Sequence, residues 1–216
     1  MVKTVEAPEP MHPMIEAIEA QYQKIFSENL TFNPEISRVK LLDNEVMLIS
    51  LRTIAVTLKD ELNDVLGEQG RDMFMYKVGK AFGSSEAQRM LPKLTLGNVV
   101  ERVAAGPIYA AFSGFVRVRL LPGSNVTDDE NYILVYEHPN NFEAAFWKAD
   151  GRSAIESICY FNGGYAAGWC SVATGLDLDS EEISCEAASA PACRFIMFPS
   201  HRRMEYMDRL DEFRSI

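Results

Sequence analysis

Residues 159–195 read CYFNGGYAAGWCSVATGLDLDSEEISCEAASAPACRF, and all the cysteines of the chain lie in this stretch: Cys159, Cys170, Cys185 and Cys193. The pair Glu181-Glu182 stands just before Cys185. Thiolates beside a carboxylate suit a divalent cation, and zinc takes such donors in a closed tetrahedron when its role is structural. Cys185 and Cys193 are eight residues apart, with Ala-Ser-Ala-Pro-Ala between them, which suits a tight loop. Glu182 lies three residues before Cys185, so a turn can aim both side chains at one point. The fourth donor, Cys159 or Cys170, requires the chain to fold back. Three thiolates and one carboxylate leave no open position, which describes a structural site rather than a catalytic one. Thiolate softness selects zinc over magnesium or calcium. There is no CxxC pair and no histidine nearby, so buried reduced thiols or a disulfide also satisfy the spacing.

The chain around this stretch is mixed in its periodicity. Residues 1–13 carry three prolines and little pattern, and read as a flexible arm. Apolar residues from Met14 to Phe26 recur at helical spacing, a stripe that serves a core or a dimer contact. Two short strands are expected between Arg38 and Ile49, on either side of Asp43-Asn44. Thr53 to Leu66 reads as a helix stopped by Gly67, and Gln69 to Phe82 as a second one. Gly79 and Gly83 on that helix allow a close helix contact. Leu94 to Ala104 reads as helix ended by Gly106-Pro107. Tyr109–Leu121 and Asn131–His138 read as an antiparallel hairpin, because Val116, Val118 and Leu120 alternate with Arg117 and Arg119. One long helix is expected over Ser153–Thr174, then short strands at Ile183–Glu186 and Arg194–Phe198, then a charged helix over His201–Phe213. The order of elements gives an α+β class, with residues 14–216 as one domain and the metal site within 159–195.

The segments GGYAAGWCSVATG and EEISCEAASAPACRF resemble the signature of the 4-vinyl-reductase domain family, which includes the aromatic-sensing N-terminal domains of XylR-type activators. Cys159, Gly164, Tyr165, Ala166, Gly168, Glu182, Cys185, Cys193 and Phe195 carry the match. The resemblance implies that zinc is held by Cys159, Glu182, Cys185 and Cys193, and gives Cys170 no metal role. It also implies a central antiparallel sheet packed by helices, the TRAPP-like fold of nitric-oxide-signalling and Golgi-transport ligand-binding domains. In such sensors the ligand lies between the hairpin strands and the cysteine-bearing helix. The His on an early strand and the Trp near the second hairpin strand that orient a phenol there have no evident counterpart here. This departure points to a different ligand, larger or more apolar.

Composition narrows the function. The net charge of −10 argues against direct contact with a nucleic-acid backbone, which needs clustered Lys and Arg. No apolar run is long enough to span a bilayer, and the N-terminus has no signal-peptide core, so a cytoplasmic setting with reduced thiols is expected. The three histidines, His12, His138 and His201, stand far from the cysteines in sequence, which argues against a Cys-His enzyme. His138 precedes a proline and reads as a solvated turn residue. Asn162-Gly163-Gly164 falls inside a helix rather than after a strand, so no phosphate cradle is read there. Aromatic residues are plentiful, and an apolar pocket with few polar groups is the favoured site. Its candidate lining is Tyr109, Phe112, Tyr132, Tyr136, Phe146, Trp147, Tyr160, Tyr165 and Trp169.

No Walker motif and no basic recognition helix occurs, so the chain reads as a stand-alone, zinc-stabilised binding or sensor protein for a small hydrophobic or aromatic ligand, and as a homodimer. The alternatives are a tetrapyrrole-pathway protein, either vinyl reductase or pigment carrier, and a scaffolding module. No reductase cofactor motif is present, so catalysis is the less favoured role.

Overall fold

The computed structural model describes residues 3–214. Residues 1–2 of the expected arm and 215–216 of the expected domain lie outside them. The chain runs β1 (Val5–Glu6), α1 (His12–Asn29), β2 (Leu30–Asn33), β3 (Arg38–Leu41), β4 (Asn44–Val46), α2 (Leu58–Met90), α3 (Val99–Phe112), β5 (Val118–Leu120), β6 (Leu134–His138), α4 (Phe142–Ala149), α5 (Tyr160–Thr174), β7 (Leu178–Ser184), β8 (Cys193–Pro199), α6 (Arg203–Met207) and α7 (Leu210–Arg214). It is an α+β fold whose main sheet has the order β1-β5-β6-β8-β7, with β2-β3-β4 as a separate antiparallel sheet.

The main sheet is mixed. β5, β6, β8 and β7 pair antiparallel, as the family resemblance implies, but β1 adds in parallel beside β5. The stretch read as a loose arm supplies this strand. Val5 is buried, Glu6 pairs with Arg119, and Glu19 of α1 accepts hydrogen bonds from the Thr4 backbone and hydroxyl. Side chains along β8 alternate between faces, as strand geometry requires. Phe195 and Met197 join the large core with α1, α3 and α5. Ile196 and Phe198 join Val135, Ile183, Tyr206 and Phe213 on the opposite face, where α6 and α7 cover them. Among the described residues no helix is long and apolar enough to cross a membrane.

Two helices meet through paired glycines. A Cβ on Gly79 would lie 2.2 Å from the Phe161 carbonyl oxygen, and one on Gly83 only 2.0 Å from that of Tyr165. The contact is reciprocal: a Cβ on Gly164 or Gly168 would meet the carbonyl oxygens of Tyr76 and Lys80 at 2.1 and 2.0 Å. Gly79 and Gly83 on α2 thus face Gly164 and Gly168 on α5, and the two backbones touch. The glycine contact expected for the second helix is present, and its partner is the cysteine-bearing helix.

Several boundaries differ from the sequence reading. Gly67 breaks the helical course of α2 with φ 68° and ψ 173°, as expected, but the second helical piece runs past Phe82 to Met90. Gly106-Pro107 lies inside α3, so Tyr109 and Phe112 are helical rather than part of the hairpin strand. Gly106 is needed there because a Cβ would sit 2.6 Å from Trp169 Cδ1. The hairpin itself is present, with Arg119 opposite Glu137 and Leu120 opposite Tyr136. The expected long helix begins at Tyr160 instead of Ser153, and Phe142–Ala149 forms a separate helix. The last strands are longer than expected and start at Leu178 and Cys193. The C-terminal helix is two short ones, α6 and α7.

Candidate metal centre and ligand cavity

Cys159 stands at the N-cap of α5, Glu182 on β7 beside a register shift, Cys185 just past β7, and Cys193 at the first position of β8. β7 and β8 are joined by a tight connection. Ala188 and Ala190 both donate to the Cys185 carbonyl, and Ser189 takes the left-handed conformation at φ 68°. The Ser184 hydroxyl closes the base of the turn by donating to Ala192 O at 2.9 Å. This geometry brings the thiols of Cys185 and Cys193 to one side, where Cys159 meets them.

The three sulfur atoms are 3.7, 3.8 and 4.0 Å apart. Thiolates around a tetrahedral cation with metal–sulfur bonds of about 2.3 Å stand about 3.8 Å apart, whereas a disulfide needs about 2.0 Å. All four cysteines are unbridged and buried. One ligand atom from each of Cys159, Glu182, Cys185 and Cys193 falls within 4.8 Å of the others. Glu182 is held by one oxygen only: Oε2 accepts from the backbone N–H groups of Ile158 and Cys159 at 3.1 and 2.9 Å. Its Oε1 is buried without a hydrogen-bond partner. An orphaned carboxylate oxygen beside three converging thiols is costly unless a cation completes it.

Electrostatics repeat the argument. Burial pushes the Cys159 thiol and the Glu182 carboxyl upward, and hydrogen bonds from the Cys159 and Cys193 thiols hold Cys185 low. The protein alone stabilises one thiolate here and resists further negative charge. A soft divalent cation would supply the charge that lets the remaining donors ionise. Cys170 lies elsewhere, in the wall of the cavity described next. Its thiol is pushed up to about 12 by burial, as for an inert core cysteine.

A cavity of about 90 Å³ lies among α1, α3, α5, β1 and the β5–β6 hairpin. Its wall is almost wholly aliphatic and aromatic, including Ile15, Val103, Val118, Leu134, Tyr165 and Trp169. Two polar residues, His138 and Asn162, stand in the same wall. Of the nine aromatic candidates, the structure places Tyr136, Tyr165 and Trp169 on this cavity. The other six are elsewhere. Tyr109 stacks on Trp169 from behind and donates to Glu86. Phe112 stacks on Phe26, and Tyr132 is fully buried with its hydroxyl on the Met197 sulfur. Phe146 packs in the small cluster around Ile54, Val56 and Met75, and Arg152 lies over the Trp147 ring. Tyr160 lines a separate, more polar cleft with Asp72, Tyr76, Glu181 and Arg203. The helical course of residues 109–112 is the reason Tyr109 and Phe112 miss the cavity.

His138 is corrected most sharply. It is 2% exposed, packs against the rings of Tyr136 and Phe195, and is not a solvated turn residue. Burial pushes its imidazole down to about 3, so it is neutral. It belongs to a buried polar chain that the sequence reading missed altogether. Lys59 pairs with Glu143 at 2.8 Å, with both side chains almost wholly buried, and also donates to Ile158 O at 2.6 Å. Glu143 Oε2 accepts from the backbone and side-chain N–H groups of Asn162 at 2.8 and 2.9 Å, which caps the first turn of α5. Asn162 donates to Asn141, and Asn141 reaches His138. A lysine on a helix of otherwise apolar burial pattern was the one legible hint.

Fold and site together describe an α+β domain with a Cys₃Glu cluster and an apolar cavity. The family model described as "Activator of aromatic catabolism" matches residues 26–122. The transcriptional regulatory protein XylR of Pseudomonas putida is 25% identical over 171 residues, 79% of this chain and 30% of that protein. The crystal structure of the phenol-responsive sensory domain of the transcription activator PoxR, with phenol, superposes with a TM-score of 0.73 at 20% identity, covering 89% of this chain and 92% of that one. The chain is similar to the N-terminal sensory domains of XylR-type activators, and the 4-vinyl-reductase resemblance of residues 159–195 is consistent with that. It spans less than a third of the length of the XylR protein it matches.

Proposed function

We propose that the chain is a zinc-stabilised binding module that senses a small hydrophobic or aromatic molecule held in the α3–α5–hairpin cavity. The observation that carries this reading is the cavity itself: apolar, and walled by the elements between which aromatic ligands were expected. The matched relatives, a transcriptional regulator and a phenol-responsive sensory domain, support sensing as the role. Zinc on Cys159, Glu182, Cys185 and Cys193 fastens the start of α5 to the β7–β8 turn and takes no part in a reaction. It suits the compact sulfur triangle and the soft donor set. A reducing cytoplasm is the setting we assign, and a homodimer the assembly. Exposed Met73, Phe74 and Phe82 on α2 support a subunit contact.

Size selects among ligands. The cavity measures about 90 Å³. A cavity of about 150 Å³ holds benzene, and drug-sized ligands need about 300 Å³ or more. One ring fits with small outward shifts of the lining side chains. A tetrapyrrole does not, and the expectation of a larger ligand than phenol loses its support. Calorimetric titration with toluene and with phenol tests the reading. Saturable one-to-one binding of either ring is expected, abolished when Ala166→Phe fills the cavity. Absence of binding by both rings, or binding unchanged in a cooperatively folded Ala166→Phe variant, would contradict it.

A further inference from the structure

The polar cleft that takes in Tyr160 has a volume of about 320 Å³ and runs between α2, the start of α5, β7 and α6. Met73 and Arg203 in its wall are exposed, so it opens to solvent. Two of the four cluster residues, Cys159 and Glu182, also stand in this wall, whereas Cys185 and Cys193 do not. Those two are 2% and 0% exposed. The β7–β8 turn is hydrogen-bonded shut around them. Ala188 and Ala190 donate to the Cys185 carbonyl, the Glu186 N–H donates to the Cys193 sulfur at 3.4 Å, and Ser184 ties the base of the turn to Ala192. The cluster is thus sealed by the turn and meets the cleft through Cys159 and Glu182.

The cleft has the charge and the size for a hydrated dication. Asp72, Glu181 and Glu182 line it against Arg203. Asp72 is engaged by Arg71 at 2.7 Å and Glu181 by Arg203 at 2.6 Å. Glu182 is different: its Oε2 takes the N–H groups of Ile158 and Cys159, and its Oε1 is left without a partner. A cation with six waters occupies roughly 180 Å³ at about 30 Å³ per water, which the cleft holds whole.

We propose that this cleft is the entry and exit route for the divalent cation of the cluster, and that Glu182 is the ligand exchanged there first. This rests on the zinc reading of the cluster. A carboxylate is the hardest donor among three thiolates and so the poorest match to zinc. It is also the donor that stands at the junction of cleft and sulfurs. With Oε2 kept in place by two backbone N–H groups, Oε1 can release and rebind without the side chain leaving its post. The thiolates of Cys185 and Cys193 stay behind the closed turn throughout.

The test follows transfer of zinc from the loaded, reduced chain to an excess of a coloured chelator, with native mass spectrometry giving the starting stoichiometry. Two substitutions fill the cleft from different walls. A Cβ on Gly163 would face Phe195 and Ser180 of the cleft at 3.4 and 3.9 Å, so Gly163→Leu roots a plug in α5. Met73→Trp fills it from the exposed face of α2 and carries the test should Gly163→Leu not fold. We expect the folded plugged variants to hold one zinc and to release it about tenfold or more slowly than the wild type. Glu182→Gln should release it about tenfold or more quickly. Ser184→Ala, which loosens the turn, should leave the rate as it is. A rate unchanged in the folded plugged variants, or raised as much by Ser184→Ala as by Glu182→Gln, would overturn the route and leave the zinc reading standing. A wild-type chain that binds no zinc would overturn both.

Discussion

His138 shows how a single residue links burial to acid stability. Its neutral form is the one the core accepts, since burial drives the imidazole from about 6.5 in an unfolded chain to about 3 here. Between those values the unfolded state holds a proton that the folded state does not. Its contribution is therefore complete above about pH 6.5 and drains away as the pH falls toward 3. Replacing it with Phe, against the rings of Tyr136 and Phe195, removes the titration and keeps the tilted ring contacts. Wild-type stability in urea should fall more steeply than that of His138→Phe between pH 6 and pH 4, by as much as about 1.4 kcal/mol per pH unit. Parallel curves would contradict the buried neutral imidazole. The sequence could not disclose this residue. A histidine before Pro139 carries every local mark of a turn, and only β8 and α5 packing over β6 puts it inside. Cys159, Glu182, Cys185 and Cys193 were legible because metal-binding donors are few and cluster in one stretch. Spacing left Cys159 and Cys170 equivalent, and the choice came from the family resemblance.

At the scale of elements, the two glycine pairs do most to set the architecture. Backbone atoms cannot swing aside as a side chain can, so a methyl group at Gly83 must drive α2 and α5 apart. Gly83→Ala should cost about 1–3 kcal/mol or more, read from chemical denaturation. Gly97→Ala is the control, because its Cβ would meet only the mobile end of Glu101 at 3.5 Å. Equal effects of the two substitutions would mean the helices are not in backbone contact. The spacing of Gly79 and Gly83 announced a close approach, but not its partner, since that depends on long-range assembly. The local rules failed where tertiary contacts overrode them. Pro107 is tolerated inside α3, and that departure places Tyr109 and Phe112 on the helix rather than on the hairpin strand.

For the molecule as a whole, the Cys₃Glu cluster and the cavity are joined by α5. Cys159 begins that helix, Asn162 one turn later faces the cavity, and Tyr165, Ala166, Trp169 and Cys170 continue its wall. A cation held by the cluster would anchor Cys159 to the β7–β8 turn and so fix the register of the wall itself. The α+β class and the β5–β6 hairpin were legible, the hairpin from the alternation of Val116, Val118 and Leu120 with Arg117 and Arg119, whereas β1 was hidden because a two-residue strand has no period to read. The account turns on the cation, and native mass spectrometry of the reduced chain counts it directly. The result expected is one zinc per chain, retained in Cys170→Ala and lost in Cys193→Ala. A bare chain in the wild type, folded and indifferent to chelator, would contradict the account.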